Sequence, residues 1–233
     1  MNNINILWFK KDLRIEDNEA LYESLKYNDI LPIYIFEVEI WNQKTHSRRQ
    51  WQFCKESVLD LRNALSEKGQ PLIIRTGNVV NIFEEISSKF EIKGIFSHQE
   101  TGDWLTYKRD QEVKLWASQK KIIWKEYLQF SVFRGNFNRD NWSKKWKKNT
   151  EKKLFKEPIK INPIDFDIGE IPEEKIFFFK KDECPGRLKG GRKKGLERME
   201  YFFNKKLNSY SKDISSPEKS FNSCSRLSPY ISC

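Results

Sequence analysis

The chain has 233 residues, a formal net charge of +10 at pH 7 and a mean hydropathy of −0.76. That length allows one large domain, or one domain and part of a second. Four cysteines without a Cys-x-x-Cys pair, and two histidines far apart, argue against a metal site or a disulfide framework. No apolar run reaches the length of a membrane span or a signal peptide, so we expect no metal, no membrane contact and a soluble protein of the reducing cytoplasm.

The positive charge is confined to the second part of the chain. Residues 1–133 contain 19 basic and 19 acidic residues, so the whole excess lies in residues 134–233. This asymmetry indicates a neutral folded module followed by a segment that faces a polyanion. A lysine-rich surface in contact with solvent is the alternative.

The first predicted strand is residues 4–9, a nearly continuous apolar run that suits a strand covered on both faces. A loop of mixed charge follows at residues 10–17, and Asn18 can cap the helix that begins after it. Ligands of open α/β sheets bind beyond the carboxyl ends of the strands. The loop is therefore a candidate functional site, although a solvated, salt-bridged loop would have the same composition.

Strand and helix signals then alternate as far as residue 127. The predicted elements are strand 29–36, helix 48–68, strand 72–75, helix 79–90, strand 94–97, helix 106–118 and strand 121–127. This alternation predicts an α/β fold with a five-stranded parallel sheet in the order 3-2-1-4-5 and helices on both faces. Trp8, Trp51 and Trp116 fall on core positions, and His46 and His98 are expected to be surface or satisfied loop histidines.

Residues 134–190 have the composition of a connector with little regular structure. Trp142 and Trp146 lie among lysines and would share one face of a helix. Such rings commonly dock a connector onto a domain, and stacking on the bases of single-stranded nucleic acid is the alternative. Ile176-Phe177-Phe178-Phe179 is the one apolar anchor that the pattern offers.

Residues 191–233 begin a second, helical unit. Gly190-Gly191 precedes a helix predicted over residues 193–207. After Tyr210, the stretch Cys224-Ser225-Arg226-Leu227-Ser228-Pro229-Tyr230 places hydroxyl groups and free backbone amides at a turn that enters a helix. These groups can donate hydrogen bonds to a diphosphate, and an ordinary capped turn is the alternative.

Two stretches resemble the photolyase/cryptochrome family. Trp8-Phe9-Lys10-Lys11-Asp12-Leu13-Arg14-Ile15-Glu16-Asp17-Asn18-Glu19-Ala20-Leu21 is similar to the family's opening motif, with lysines at positions 10 and 11 where arginines are usual. The stretch from Cys224 to Tyr230 is similar to the family's flavin phosphate-binding segment, with Cys224 where many members have threonine.

The resemblance implies a Rossmann-like, antenna-type domain over residues 1–133 and a connector over residues 134–190. Residues 191–233 would then form the first helices of an incomplete α-helical FAD domain. The implied cofactor is FAD, with no catalytic residue in this chain, and the implied flavin contacts are Tyr210, Cys224, Ser225, Arg226, Leu227 and Ser228.

The family often binds a light-harvesting antenna chromophore at the edge of this sheet. Tyr107-Lys108-Arg109-Asp110 resembles the corresponding stretch at the start of the fourth helix. Thr106 stands where an acidic residue holds a folate antenna in some members, so the identity of the chromophore stays open. A structural ion pair between Arg109 and Asp110 would account for the same residues without any chromophore.

The implied activity is that of a DNA photolyase, a carbon–carbon lyase in which light-excited, reduced FAD repairs pyrimidine dimers in DNA by electron transfer. Light-signalling cryptochromes share the scaffold. Two further hypotheses are a non-catalytic α/β binding module and a truncated product without activity, unless a separately encoded C-terminal half completes the enzyme. The chain alone is expected to bind FAD weakly or not at all, because the segment after Tyr210 forms only one wall of a flavin site.

Overall fold

In the computed structural model, which describes residues 2–129, 132, 134 and 140–232, five parallel strands form one sheet in the order β3-β2-β1-β4-β5. The strands are β1 (Asn3–Phe9), β2 (Asp29–Phe36), β3 (Ile73–Thr76), β4 (Glu91–His98) and β5 (Ile123–Tyr127). The predicted order is confirmed. Because β1 lies at the centre, its apolar run is buried on both faces, as parallel strands covered by crossover helices require.

Helices follow each strand and then dominate the C-terminal part. They are α1 (Glu19–Ser24), α2 (Val38–Trp41), α3 (Arg48–Glu67), α4 (Val79–Lys89), α5 (Trp104–Gln119), α6 (Trp142–Thr150), α7 (Arg192–Lys205), α8 (Leu207–Asp213), α9 (Ser220–Ser223) and α10 (Ser228–Ser232). The side chain of Asn18 accepts from the backbone N–H of Leu21, which confirms the predicted cap of α1. The short helix α2 was not predicted, because four residues carry no helical period.

Each face of the sheet has its own apolar core. Helices α1 and α3 pack on one face around Phe9 and Trp51, and helices α4 and α5 pack on the other around Trp8 and Trp116. The core positions predicted for these three tryptophans are confirmed. His98 ends β4 and is buried, so it is a satisfied histidine of a strand and not of a loop.

The connector crosses the α/β unit and contributes two buried side chains to its core. Ile161 and Phe177 are both buried in the cluster that lies against α3. The prediction that residues 176–179 form its one apolar anchor is therefore wrong, because Ile161 is a second anchor and Phe178 points to solvent. The only regular structure between α6 and α7 is a single 3₁₀ turn, Glu174–Ile176, which agrees with the predicted lack of regular elements.

The predicted boundary between the first domain and the connector, at residues 133 and 134, adjoins residues 130, 131, 133 and 135–139, which lie outside the described ranges. The helix predicted around Trp142 and Trp146 is present as α6. Among the described helices, none combines the length and the apolar character needed to cross a membrane.

Candidate functional site

A large cleft opens at the carboxyl ends of β1, β2 and β4. Its volume is about 890 Å³, within the range of about 300–1,000 Å³ that is typical of small-molecule sites. Strand ends and the start of α5 form its inner end, and α2, α3, the connector and the C-terminal segment form its outer wall. Charged and polar side chains that line it include Lys10, Glu37, Lys44, Arg49, Glu100, Thr106, Arg109, Arg187, Arg226 and Ser228.

Lys10, the first residue after β1, lies at the inner end of the cleft with its ammonium group buried. Its Nζ has no hydrogen-bond partner within the part of the chain that the structure describes. The nearest carboxylate oxygens, on Asp110 and Glu126, are 3.7 and 3.6 Å away, and the Nζ also lies over the Trp8 ring. Burial lowers the pKa of Lys10. A buried donor left unsatisfied is costly, so an acceptor atom on a ligand in the cleft would stabilise it.

Arg109 of α5 holds three carboxylates together beside Lys10. Its guanidinium lies 2.5 Å from Glu37, 2.6 Å from Glu100 and 2.9 Å from Asp110. The structural ion pair between Arg109 and Asp110 is therefore present. Burial alone would lower the pKa of Arg109, but the three carboxylates raise it. The guanidinium is fixed in one position by its fork of donors, as suits a buried ion network.

This environment shifts the pKa values of Glu37 and Glu100 in opposite directions. Burial raises the pKa of Glu37 to about 7, and the attraction of Arg109 only limits that rise. For Glu100, burial would also raise the pKa, but Arg109, Lys11 and Lys10 together hold it at about 2. Glu37 is thus the group at the inner end whose charge changes near neutral pH.

A second buried pair fixes the loop of residues 10–17 beneath the cleft. Asp12 is fully buried and accepts hydrogen bonds from the Nδ1 of His98 at 2.7 Å, the backbone N–H of Lys10 at 3.0 Å and the side-chain amide of Asn18 at 3.2 Å. Burial would raise the pKa of Asp12, but His98 and the other donors lower it to about 2. Asp12 therefore ties the end of β1 to α1 and β4, and sets the position of Lys10.

The predicted flavin contacts are distributed over two environments. The ring of Tyr210 packs edge-on against Phe202, with 5.5 Å between ring centres, and does not line the cleft. The Sγ of Cys224 donates to the carbonyl of Phe221 at 3.4 Å. The carbonyl of Ser225 accepts from the Nε of Arg198, and its hydroxyl accepts from the backbone N–H of Leu227. These groups are engaged in local contacts.

Arg226 and Ser228 are the two predicted flavin contacts that line the cleft, and Pro229 of the same segment lines it beside them. Arg226 adopts a left-handed backbone conformation, with φ of 55°, and one of its terminal nitrogens donates to the carbonyl of Gly186 at 3.0 Å. Leu227 points instead into a small cavity of about 180 Å³ between the loop of residues 10–17, α3 and α7. The segment thus contributes to the outer wall of the cleft, and whether it also contacts a flavin stays a prediction.

The lining of the cleft is predominantly positive. Seven lysines and arginines face three acidic residues, Glu37, Glu100 and Asp103. Arg49 and Arg187 are paired with Asp182 and Glu56 of the described chain, whereas Lys44 has no ion pair there. An anionic ligand is favoured by such a lining. No group of three or more potential metal ligands occurs among the described residues.

Thr106 lines the cleft at the first turn of α5, and its hydroxyl donates to the carbonyl of Asp103 at 2.9 Å. The position at which the resemblance implied a folate-binding acid is thus occupied by an uncharged side chain whose hydroxyl is already hydrogen-bonded. The sequence located this position and the Arg109–Asp110 pair. It missed Glu37, Glu100 and His98, which reach the site from distant parts of the chain.

Comparison with known proteins agrees with this architecture. The family described as DNA photolyase matches residues 5–159. The chain is 30% identical over 234 residues to a cryptochrome DASH, chloroplastic/mitochondrial, of Arabidopsis thaliana, covering 88% of this chain and 40% of that relative. It is 26% identical over 227 residues to a cryptochrome DASH of Gloeobacter violaceus, covering 87% and 45%. The chain spans less than half the length of both curated relatives.

Solved structures share the fold. A Synechocystis cryptochrome matches with a TM-score of 0.79 at 20% identity, over 98% of this chain and 52% of that one. An archaeal photolyase from Sulfolobus tokodaii, solved with two FAD molecules, matches with a TM-score of 0.73 at 23% identity, over 100% of this chain and 52% of that one. At these identities the likeness establishes the fold alone.

Proposed function

This chain belongs to the photolyase/cryptochrome family, and from that premise we propose that it carries the light-harvesting α/β domain of a blue-light flavoprotein. The parent activity that we propose is DNA photolyase activity, for which bound FAD supplies light-driven electron transfer to a pyrimidine dimer. A light-signalling cryptochrome is the second candidate, because the curated relatives described above are cryptochromes of the DASH type.

The observation that carries this proposal is the cleft at the carboxyl ends of β1, β2 and β4. Its volume is sufficient for a flat chromophore, its lining includes the rings of Trp8 and Trp41, and its cations suit an anionic ligand. The unsatisfied ammonium of Lys10 provides a donor at the inner end. The Sulfolobus photolyase, solved with two FAD molecules and an inferred novel light-harvesting cofactor, supports a flavin nucleotide as the first ligand to test.

FAD in a second, helical site would involve the segment after Tyr210. Arg226 and Ser228 reach the cleft, and the remaining predicted contacts are bonded locally. Because this segment supplies one wall only, we expect any flavin that the chain binds alone to lie in the cleft. DNA remains the proposed polyanionic partner of the basic second part of the chain.

The test is an absorption spectrum of the purified chain before and after incubation with FAD or FMN and removal of free ligand. We expect a flavin band that elutes with the protein at about one molecule per chain, bound in the cleft. The weak or absent FAD binding expected from the sequence concerns the helical site, of which this chain supplies one wall. A protein that stays colourless with both nucleotides would overturn the proposal that the cleft binds a flavin chromophore.

Two variants locate the bound flavin. Lys10→Met removes the inner donor and is expected to weaken binding about tenfold or more, since a charge-assisted hydrogen bond is lost. Tyr210→Ala changes the helical part and is expected to leave binding unchanged. The opposite pattern would place the flavin in the helical site. Circular dichroism of both variants checks that each is folded.

The two candidate activities are distinguished by a repair assay. An oligonucleotide with one pyrimidine dimer is illuminated with the flavin-loaded, reduced chain, and restored bases are measured. Repair would support the photolyase proposal. A loaded chain that binds the chromophore without repair would instead support a signalling or non-catalytic binding module.

A further inference from the structure

One carboxylate oxygen at the inner end of the cleft is left without a partner. Glu37 lines the cleft, and its Oε1 accepts from a terminal nitrogen of Arg109 at 2.5 Å. Both oxygens of Glu100 contact cations, and so do both oxygens of Asp110. Within the described chain, the Oε2 of Glu37 has neither a hydrogen bond nor an ion pair. It is not among the buried atoms that lack a partner, so it is accessible from the cleft.

The charges around Glu37 favour a proton on this oxygen. Arg109 has to balance three carboxylates, and two of them have further cations: Lys11 contacts Glu100, and Lys10 lies near Asp110. Glu37 has its ion pair with Arg109 alone. Burial therefore outweighs attraction and raises the pKa of Glu37 to about 7. Because Oε1 already accepts from Arg109, the proton belongs on Oε2.

A carboxyl group with its proton on Oε2 is a hydrogen-bond donor that the cleft can present to a ligand. The unsatisfied Nζ of Lys10 is a second donor at the same end, since Lys10 and Arg109 lie 4.7 and 4.8 Å from the centre of the Trp8 ring. Two such donors suit a ligand with adjacent acceptor atoms, such as the C4 carbonyl oxygen and N5 of an oxidised isoalloxazine. We propose that Glu37 binds the ligand of the cleft as the neutral acid, through Oε2–H, so that binding takes up a proton.

This inference rests on the proposed function, because it requires a ligand in the cleft, and it adds a residue that makes affinity depend on pH. Above the pKa of Glu37, the free chain presents a carboxylate, which repels an acceptor atom. The carboxylate must then be protonated before the ligand can bind. Affinity should consequently fall about tenfold for each pH unit above that pKa.

Other charged and titratable groups share the inner part of the cleft with Glu37. They are Lys10 and Lys11 after β1, Lys44 and His46 after α2, Arg49 of α3, Glu100 and Asp103 before α5, and Arg109 and Asp110 within α5. Burial lowers the pKa of Lys10 and of His46, so these two can also exchange a proton when a ligand binds. A variant at Glu37 is therefore needed to assign the proton.

The experiment is isothermal titration calorimetry of the full chain with FAD at pH 8, in Tris and in HEPES. These buffers differ in ionisation enthalpy, so the difference in heat gives the number of protons taken up. FAD keeps its charge between pH 6 and pH 8, so the protons are bound by the protein. Glu37 should be only about one-tenth protonated in the free chain at pH 8, and we expect an uptake of about 0.9 proton per bound FAD.

Glu37→Gln is the matched variant. Its amide oxygen can accept from Arg109 and its amide nitrogen can donate to the ligand, with no proton to lose. The unmodified chain should bind FAD about tenfold more weakly at pH 8 than at pH 6, whereas Glu37→Gln should bind equally at both and take up no proton. Glu39→Gln replaces an exposed carboxyl two residues away and should behave like the unmodified chain.

The outcomes separate this inference from the proposed function. Binding without proton uptake at pH 8 would overturn the role of Glu37 and leave flavin binding in place. An uptake that persists in Glu37→Gln would do the same, because the proton would then belong to Lys10 or His46. A chain that binds no FAD at either pH would overturn the flavin site of the cleft and this inference with it. The calorimetry of the unmodified chain decides the proton uptake even where a variant fails to fold.

Discussion

Buried charges at the inner end of the cleft neutralise one another. Glu37, Glu100 and Asp110 all contact the guanidinium of Arg109, and the effective cost of burying each ion is several kcal/mol. Glu100 has additional cations, Lys10 and Lys11, which hold its pKa at about 2. Glu37 shares Arg109 with two competitors, so burial outweighs attraction and its pKa rises to about 7.

Glu37 should therefore make stability depend on pH near neutrality. Its folded pKa of about 7 lies above its ordinary value near 4.5, so the folded state holds the proton more tightly and loses stability as pH rises between those values. We expect the free energy of unfolding of the unmodified chain, minus that of Glu37→Gln, to fall by up to about 3 kcal/mol from pH 4.5 to pH 7.

Urea unfolding at pH 5, 6, 7 and 8 measures this difference. Glu39→Gln replaces an exposed carboxyl two residues away and provides the baseline. Parallel pH profiles for the unmodified chain and Glu37→Gln would show that Glu37 keeps the same charge in the folded and unfolded states, contrary to the expectation.

At the scale of elements, the connector behaves as part of the α/β unit. The backbone N–H of Ile161 donates to the carbonyl of Lys68, and the backbone N–H of Ile74 in β3 donates to the carbonyl of Ile168. Arg62 of α3 donates to the carbonyls of Ile168 and Gly169. Hydrogen bonds to α3 and β3 thereby fix a segment with almost no regular structure. In return, the segment pairs backbone groups of β3 that would otherwise be unpaired at the sheet edge.

A substitution at Ile161 tests whether the connector completes the core of the α/β unit. Its side chain is 1% exposed and belongs to the core beside α3. Ile161→Ala should lower the free energy of unfolding by about 2–5 kcal/mol, through lost burial and the cavity that remains. Ile159→Ala, two residues earlier and 96% exposed, should change it by less than about 0.5 kcal/mol. Chemical denaturation measures the free energy of unfolding of both variants. Equal losses in the two variants would mean that the connector does not complete the core.

The same contrast explains which features the sequence predicts. The apolar run of β1 and the stripe of α3 are local patterns, and they predict the sheet order and its helices. The cap at Asn18 and the Arg109–Asp110 pair are also local. Ile161 is an isolated apolar residue that belongs to no helical or strand pattern. Its burial depends on tertiary packing against α3, so the sequence alone does not predict it.

Long-range polar pairs cannot be predicted from the sequence for a related reason. Glu37 and Arg109 are 72 residues apart, and Asp12 and His98 are 86 residues apart. Each partner is an ordinary charged or polar residue by its local pattern, and only the parallel sheet aligns the ends of β1, β2 and β4. The location of the candidate site was therefore predictable from the sheet, and its charge network was not.

A short segment before α7 fixes the C-terminal helices to the α/β unit, in addition to the contact of Phe53 with Tyr230. The backbone N–H groups of Gly190 and Gly191 donate to Glu56 and Ser57 of α3, and that of Arg192 donates to Asp60. Three consecutive amides at the start of α7 thus bind three side chains of one helix. The guanidinium of Arg187 adds a bidentate pair of hydrogen bonds to the carboxylate of Glu56. We expect the two parts to unfold together.

Gly190 makes this coupling testable. A Cβ at this position would lie 2.0 Å from the carbonyl oxygen of Phe53 and 2.6 Å from the hydroxyl of Ser57, so Gly190→Ala must move the segment away from α3. We expect a loss of about 1–3 kcal/mol in stability and separate melting of the two parts. All eight tryptophans precede residue 147, so fluorescence follows the α/β unit and α6, while far-ultraviolet circular dichroism also follows α7 to α10. The two melting curves should coincide in the unmodified chain and diverge in Gly190→Ala.

Gly186→Ala is the control, since nothing lies within 4 Å of a Cβ there. Coincident curves in all three proteins would mean that the amides of the segment are not what couples the two parts.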